Sequence, residues 1–437
     1  MNEENPFDTE YNIIHKLKNG IVDSEVRAWA SEQLLDIHKN ITSLILDYLD
    51  INEKDAKIIS LWIIGTYFHD QFMTYPLLFF NAMRGSGKTR MLKLIASLAK
   101  GGSGFVINNI TDAVLFRHPK NTILCIDEIE NIGSKERSTL RELLNSAYKK
   151  GMRVQRMKKV RVQGQEQQVV DTFEPYFPIA MCNIWGVEEV LADRSLVIIL
   201  EKSNRPEVTK KIEMFADDPI FLDIKRRLNE LCVVCVVSLR EKNIYKAWNN
   251  FINSKYSNSI TTYIYITTYN NTKQQQDVEE RSDDEKREDL MLKTEFDEFF
   301  NKIDEMDISG RNLELIFPII LISRQLGPEI MEDTLQILKN TIKGKQEEEF
   351  TESRDVSMIE FCALHGRSEY VSLKDITSHF KLFVGDSVGE ENWVNEKWVG
   401  RALKRLNLIK AKRREASGRF VVIDTEKAQE KLKIFKR

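Results

Sequence analysis

Cysteine is scarce, and the five present (Cys125, Cys182, Cys232, Cys235 and Cys362) are odd in number and mostly set in apolar runs. That pattern excludes a secreted disulfide framework and fits a reducing interior. Cys232-Val-Val-Cys235 has the spacing of a metal or redox pair, but neither a second pair nor a nearby histidine accompanies it, so it reads as core. An uncharged apolar run of eighteen residues is also missing, which argues against a membrane span. The acidic, polar start Met1-Asn-Glu-Glu-Asn does not have the character of a cleavable signal, so the expected location is cytoplasmic. With 64 Lys+Arg against 67 Asp+Glu, the net charge of −3 rules out a uniformly basic protein and hides local asymmetry. No repeat of solenoid period is present.

What the chain has is length, 437 residues, with 42% hydrophobic and 30% charged residues, enough for two or three globular domains. Its most informative stretch is Asn81-Ala82-Met83-Arg84-Gly85-Ser86-Gly87-Lys88-Thr89. The apolar run 75–80 before it reads as a buried parallel strand, and Arg90–Leu98 after it has helical spacing. A glycine-rich turn between strand and helix lets backbone N–H groups of Gly85, Ser86 and Gly87 face an anion at a helix N-terminus. Lys88 then reaches the β/γ oxygens and Thr89 Oγ1 ligates Mg²⁺, as in GxxxxGK[ST], with Ala82 in place of the first glycine. The expected cofactors are ATP and Mg²⁺.

Further strands are predicted at about 104–107, 122–126, 177–182 and 196–200, giving an α/β sheet of about five strands. Residues 22–72 carry helical periodicity, and 1–72 read as an N-terminal helical bundle. Residues 206–350 read as a helical lid region interrupted by a polar, then charged insertion at about 254–289, with eight acids against three bases between Asp277 and Asp289. Ile260–Tyr269 looks strand-like inside it without an evident place.

Ile123-Leu-Cys-Ile-Asp127-Glu128 is a buried strand ending in two acids. Beside a phosphate loop, Asp127 is suited to hold Mg²⁺ and Glu128 to polarise the water that attacks the γ-phosphate. Asn183, ending the strand Phe177–Cys182, is placed to orient that water.

Gly85–Thr89, Asp127-Glu128, Asn183 and Ala192-Asp193-Arg194-Ser195 occur in the order of an AAA+ ATPase core, and resemble its Walker A, Walker B, sensor 1 and arginine finger. More closely, the chain resembles the MCM-like helicases of plasmids and other mobile elements, over about 75–200 well and 308–437 more loosely. The resemblance implies a fold of an AAA+ P-loop core with a parallel sheet, an N-terminal helical bundle and a C-terminal winged helix. It implies a homo-hexameric ring acting in DNA replication, with Arg194 completing a neighbouring subunit's site, and possible replication partner proteins. Ile308–Leu315 resembles the start of a sensor 2 helix, which would set Arg311 against a γ-phosphate. Outside the family, Arg194 reads as a surface salt-bridge partner and Arg311 as an ordinary helix N-terminal arginine.

The 54 residues between Glu128 and Asn183 exceed one helix and one turn, and the excess reads as a hairpin of Met152–Val162 and Gln168–Phe173 around Gly164. Arg153, Arg156, Lys158, Lys159 and Arg161 line its first strand, where the resemblance places a pore hairpin that tracks single-stranded DNA; the other reading is a solvated edge that discourages aggregation. Residues 355–437 read as helix Leu373–Phe383, helix Asn395–Leu406 and two strands around Ala416-Ser417-Gly418, a winged-helix pattern. Lys397, Arg401, Lys404 and Arg405 form its outward face, and Arg413 and Arg414 belong to a run of seven bases against one acid between Lys404 and Arg419. Such modules bind DNA or protein. The leading expectation is an ATP-driven DNA helicase or translocase; the others are an AAA+ initiator, loader or regulator that switches with nucleotide state, and a protein remodeller.

Overall fold

Short apolar runs buried on both faces, separated by helices, dictate a parallel sheet, because crossover helices cover both sides of it. The computed structural model describes residues 12–13, 15–16, 21–82, 84–108, 110–129, 138–162, 165–183, 189–240, 244–256, 296–352, 354–366, 369–385, 394–415 and 418–435. It has β1 (Leu77–Ala82), β2 (Ile107–Asn108), β3 (Leu124–Asp127), β4 (Val154–Val162), β5 (Gln165–Phe173), β6 (Ile179–Asn183) and β7 (Ser195–Leu200). The five strands of the parallel sheet run in the order β2-β3-β6-β1-β7, while β4 and β5 pair only with each other. The five predicted sheet strands are present: the first four begin two or three residues later than the apolar runs that announced them, and the fifth begins one residue earlier, at Ser195.

The chain divides into two compact units, residues 1–339 and 340–437. In the first, Leu77, Phe79, Leu124, Ile126 and Met181 form a core with Leu140, Leu143 and Leu144 of the helix Ser138–Ser146. The helix Lys88–Leu98 packs against β3 and β6.

The N-terminal helices belong to this unit. Ser24–Tyr48 is capped by Asp23 and Glu53–Gly65 by Asn52, each accepting from the backbone amide of the third residue of its helix. They pack on each other and on the helix Gly310–Leu326. Trp62, fully buried, donates its indole N–H to the Pro76 carbonyl at 2.8 Å, and Tyr75 donates its hydroxyl to the Trp62 carbonyl at 2.5 Å. A Cβ on Gly65 would lie 2.3 Å from Ile322 and 2.4 Å from the Tyr75 hydroxyl, so only glycine lets these elements close together.

Burial gives this bundle a pH dependence. His38 is buried, and its Nδ1 lies 3.0 Å from Ser60 Oγ, whose own proton goes to the His38 carbonyl at 3.1 Å. Burial, aided by the Lys57 charge, pushes its pKa down to about 4. Above pH 6.5 the imidazole is neutral whether the chain is folded or not; between 6.5 and about 4 the unfolded chain takes up a proton that the folded one refuses. Acidification across that window is therefore expected to cost about 3 kcal/mol at this residue. Denaturant melts at several pH values check it: His38→Gln flattens the fall in stability, and an unchanged slope would refute the assignment.

The second unit holds the helices Arg354–His365, Leu373–Phe383, Glu396–Arg405 and Thr425–Phe435, and an antiparallel sheet β8-β10-β9 made of β8 (Val371–Ser372), β9 (Ile409–Glu415) and β10 (Gly418–Ile423). Phe361, Ile376, Phe380, Val399, Leu403 and Val421 build its core. The two long middle helices start on Ser372 and Asn395, each a side-chain N-cap. Residues 260–269, most of the charged insertion and Gly164 lie outside the described residues. Among the described residues no helix is long and apolar enough to cross a membrane.

Candidate functional site

The glycine-rich loop leaves the C-terminal end of β1 and enters the helix Lys88–Leu98. Gly85 (φ 81°) and Gly87 (φ 87°) take the left-handed conformation that their lack of a Cβ permits, and Gly87 caps the helix without a side-chain acceptor, so its first amides are open to an anion. Ser86 Oγ is buried and has no hydrogen-bond partner, a cost that a ligand oxygen would remove.

Because β3 and β1 flank β6 in the sheet, the acidic strand end and the loop open at the same edge. Lys88 Nζ sits between the two carboxylates, 2.8 Å from Glu128 Oε1 and 3.4 Å from Asp127 Oδ1. Thr89 Oγ1 donates to Asp127 Oδ2 at 2.6 Å, and the Cys182 thiol donates to Asp127 Oδ1 at 2.8 Å. Burial works to raise the Asp127 carboxyl, but the hydrogen bonds from Cys182 and Thr89 and the Lys88 charge outweigh it and hold the group below the usual range. Asp127 is thus kept ionised.

Glu128 has φ 58°, an unusual backbone for a residue with a Cβ, which turns its side chain out of the strand toward Lys88. Asn183 ends β6 in register with Asn81, and its amide nitrogen donates to the Ile129 carbonyl at 3.1 Å. It braces the turn after Glu128, a bracing role the sequence did not suggest.

Thr89 and Asp127 offer two adjacent oxygens, and no cluster of three or more His, Cys, Asp or Glu side chains suited to a metal occurs among the described residues. Mg²⁺ typically takes one or two protein ligands, with waters and phosphate oxygens completing its octahedron, so these residues fit it. A cleft of about 340 Å³ extends from the loop, with Tyr48, Asp50, Ser203, Val208 and Glu213 on its far wall.

Arg194 and Arg311 lie elsewhere. Leu77, at the start of β1, is in register with Ser195 at the start of β7, and the Leu77 amide donates to the Arg194 carbonyl. This is the sheet edge opposite the glycine-rich loop, roughly 17 Å away across five residue steps of β1. Arg311 pairs there with Asp193, and the guanidinium carbons of Arg194 and Arg311 stand 5.5 and 5.9 Å from the Tyr148 ring centroid. The glycine-rich loop is out of reach of both, so the expected approach of Arg311 to a phosphate at that loop is not seen within the chain.

The basic hairpin is longer on its second strand than the sequence suggested. β5 starts at Gln165, not Gln168, and pairs antiparallel with β4 from Val162↔Gln165 to Val154↔Phe173. At its base Val154 and Phe173 pack on the core, and Arg156 lies 3.9 Å from the Phe116 ring centroid and 3.2 Å from Asp171. Arg153, Lys158 and Lys159 are exposed; the Arg161 side chain lies outside the described residues. Arg156 is therefore an anchor of the hairpin more than part of its outer surface.

In the second unit Lys397, Arg401 and Lys404 are exposed on the helix Glu396–Arg405, whose Val399, Ala402 and Leu403 are buried and whose Trp398 stacks on Phe380 with centroids 5.9 Å apart. Arg413 lies 4.2 Å from the Tyr370 ring centroid and Arg414 is exposed, while the Arg405 side chain is outside the described residues.

Compared with known proteins, the chain matches no family model and no curated protein.

Proposed function

We propose that the protein is a Mg²⁺-dependent ATPase of the AAA+ kind that works on DNA as a ring-forming, homo-hexameric helicase or translocase, in replication of a chromosome or mobile element. The observation that carries the ATPase part is the meeting of Gly85–Thr89 with Asp127 and Glu128 at one sheet edge, joined by Lys88 and Thr89. In the reaction a water oxygen bonds to the γ-phosphorus and its proton passes to Glu128. The β–γ bridging oxygen leaves on ADP with the electrons of the broken bond, its charge met by Lys88. Mg²⁺, held by Thr89 and Asp127, would neutralise the phosphate oxygens. Arg194 and Arg311, on the far edge, would serve a neighbouring subunit's phosphates.

Exposed Arg153, Lys158 and Lys159 on a projecting hairpin support a pore contact to single-stranded DNA, and the Lys397–Lys404 face supports duplex contact by a winged helix. That second basic surface, in a compact unit of its own, also favours the alternative of an initiator, loader or regulator that switches with nucleotide state.

ATP hydrolysis with and without single-stranded DNA separates the two. The wild type is expected to be stimulated several-fold at low salt, and Lys158→Gln/Lys159→Gln, which leaves the phosphate loop untouched, to lose most of that stimulation while keeping basal turnover. Hydrolysis indifferent to DNA would sink the motor reading and leave the switch.

A further inference from the structure

Arg90, the residue after Thr89, is spent on main-chain carbonyls. Its guanidinium donates to Tyr48 at 3.2 Å, Val208 at 2.9 Å and Lys211 at 2.8 Å, and its Nε lies 3.4 Å from the Glu213 carboxylate. Tyr48 is the last residue of the N-terminal helix Ser24–Tyr48, and the other three belong to the segment after β7. Tyr48, Val208 and Glu213 line the cleft opposite the phosphate loop.

One side chain thus joins the phosphate-loop helix to both pieces of the far wall. The wall is braced in the same sense by neighbours. Tyr48 meets Phe215 edge-on at 4.9 Å, Lys211 pairs with Asp47, and Ser203 Oγ donates to Asp50 at 2.7 Å. A Cβ on Gly87 would lie 3.2 Å from Leu49, so the loop itself runs against the end of the bundle. A fork of five N–H donors can satisfy several carbonyls at once, which a lysine ammonium does with less fixed geometry.

A phosphate chain occupies only the loop end of this cleft; the remainder, between the aromatic and apolar surface of Tyr48, Leu49 and Val208 and the polar rim at Asp50, suits a nucleoside. Building on the nucleotide reading of this same site, we infer that Arg90 is a positioning residue that assembles the nucleoside-side wall. The protein then distinguishes a nucleoside triphosphate from bare polyphosphate through a surface supplied by its N-terminal bundle.

The test is calorimetric binding of Mg²⁺-ATP and of Mg²⁺-tripolyphosphate to the full-length wild type, Arg90→Ala and Arg90→Lys. ATP is expected to bind the wild type at least about tenfold more tightly than tripolyphosphate. Arg90→Ala should lose about 10- to 100-fold on ATP and less than about threefold on tripolyphosphate, with Arg90→Lys between. If Arg90→Ala fails to fold, Tyr48→Ala, a half-buried wall residue, should show the same selective loss. Equal weakening of both ligands, or unchanged ATP affinity, would overturn the inference while leaving the nucleotide reading in place. A wild type that binds neither would overturn that reading and the inference with it.

Discussion

Lys88→Ala is expected to weaken ATP binding by at least about thirtyfold, and by up to about three thousandfold. The side chain is a nearly buried ammonium, 12% exposed, aimed between two carboxylates at the mouth of an open helix N-terminus. Removing one partner of a partly desolvated charge pair costs about 2–5 kcal/mol, and every 1.4 kcal/mol is tenfold in affinity. The truncation also leaves Asp127 and Glu128 facing the phosphates with no cation of the protein's own between them. Burial works to lower the Lys88 pKa, but the Glu128 hydrogen bond and the charges of Asp127 and Glu128 together outweigh it and raise the group, so the ammonium stays charged across any working pH. Titration of the wild type and the variant with a fluorescent ATP analogue in Mg²⁺ measures the difference. An affinity within threefold of wild type would rule the phosphate loop out as the binding element.

Glu128→Gln is expected to separate binding from chemistry. The amide keeps the shape of the side chain and still accepts from Lys88, so ATP affinity should stay within about threefold. It cannot take a proton from water, and hydrolysis should fall by about 10² to 10⁴, the usual contribution of a positioned general base. Asp127→Asn tests the neighbouring role by a different signature: it removes the charge that Thr89 and Cys182 are arranged around, so the Mg²⁺ requirement should rise as well. Steady-state hydrolysis beside equilibrium binding resolves the cases, and a Glu128→Gln protein with wild-type turnover would assign the base to another residue.

The sheet was legible because its strands are apolar on both faces, yet their ends were not. Tyr75 and Pro76 read as strand because they are hydrophobic, whereas the Tyr75 amide donates to the Tyr148 carbonyl and its hydroxyl to Trp62, so the bundle buries it before the ladder begins. At the other end Asn81 and Ala82, read as loop, continue β1 in register with Ile199 and Leu200. Gln165-Glu166-Gln167 carries no strand propensity and is extended only because Val160–Val162 stands opposite.

The meeting of Lys88, Thr89, Asp127 and Glu128 was legible in the sequence because strand ends of a parallel sheet gather locally at one edge. Arg311 could not be placed, since chain order does not say at which end of a parallel sheet a later helix starts. Arg90 looked like any helix arginine; its partners are 42 to 123 residues away along the chain. Cys182 read as plain core because a thiol's use as a donor depends on what lies beside it.

Trp62 donates to the Pro76 carbonyl and accepts from the Tyr75 hydroxyl across the join between bundle and sheet, Gly65 closes that join, and Tyr48 finishes the far wall of the cleft. A segment so wired forms one physical block with the sheet. Replacing one without the other would break a wall and a core together, so a chimaera carrying a foreign bundle on this sheet is expected to lose both stability and the shape of the cleft.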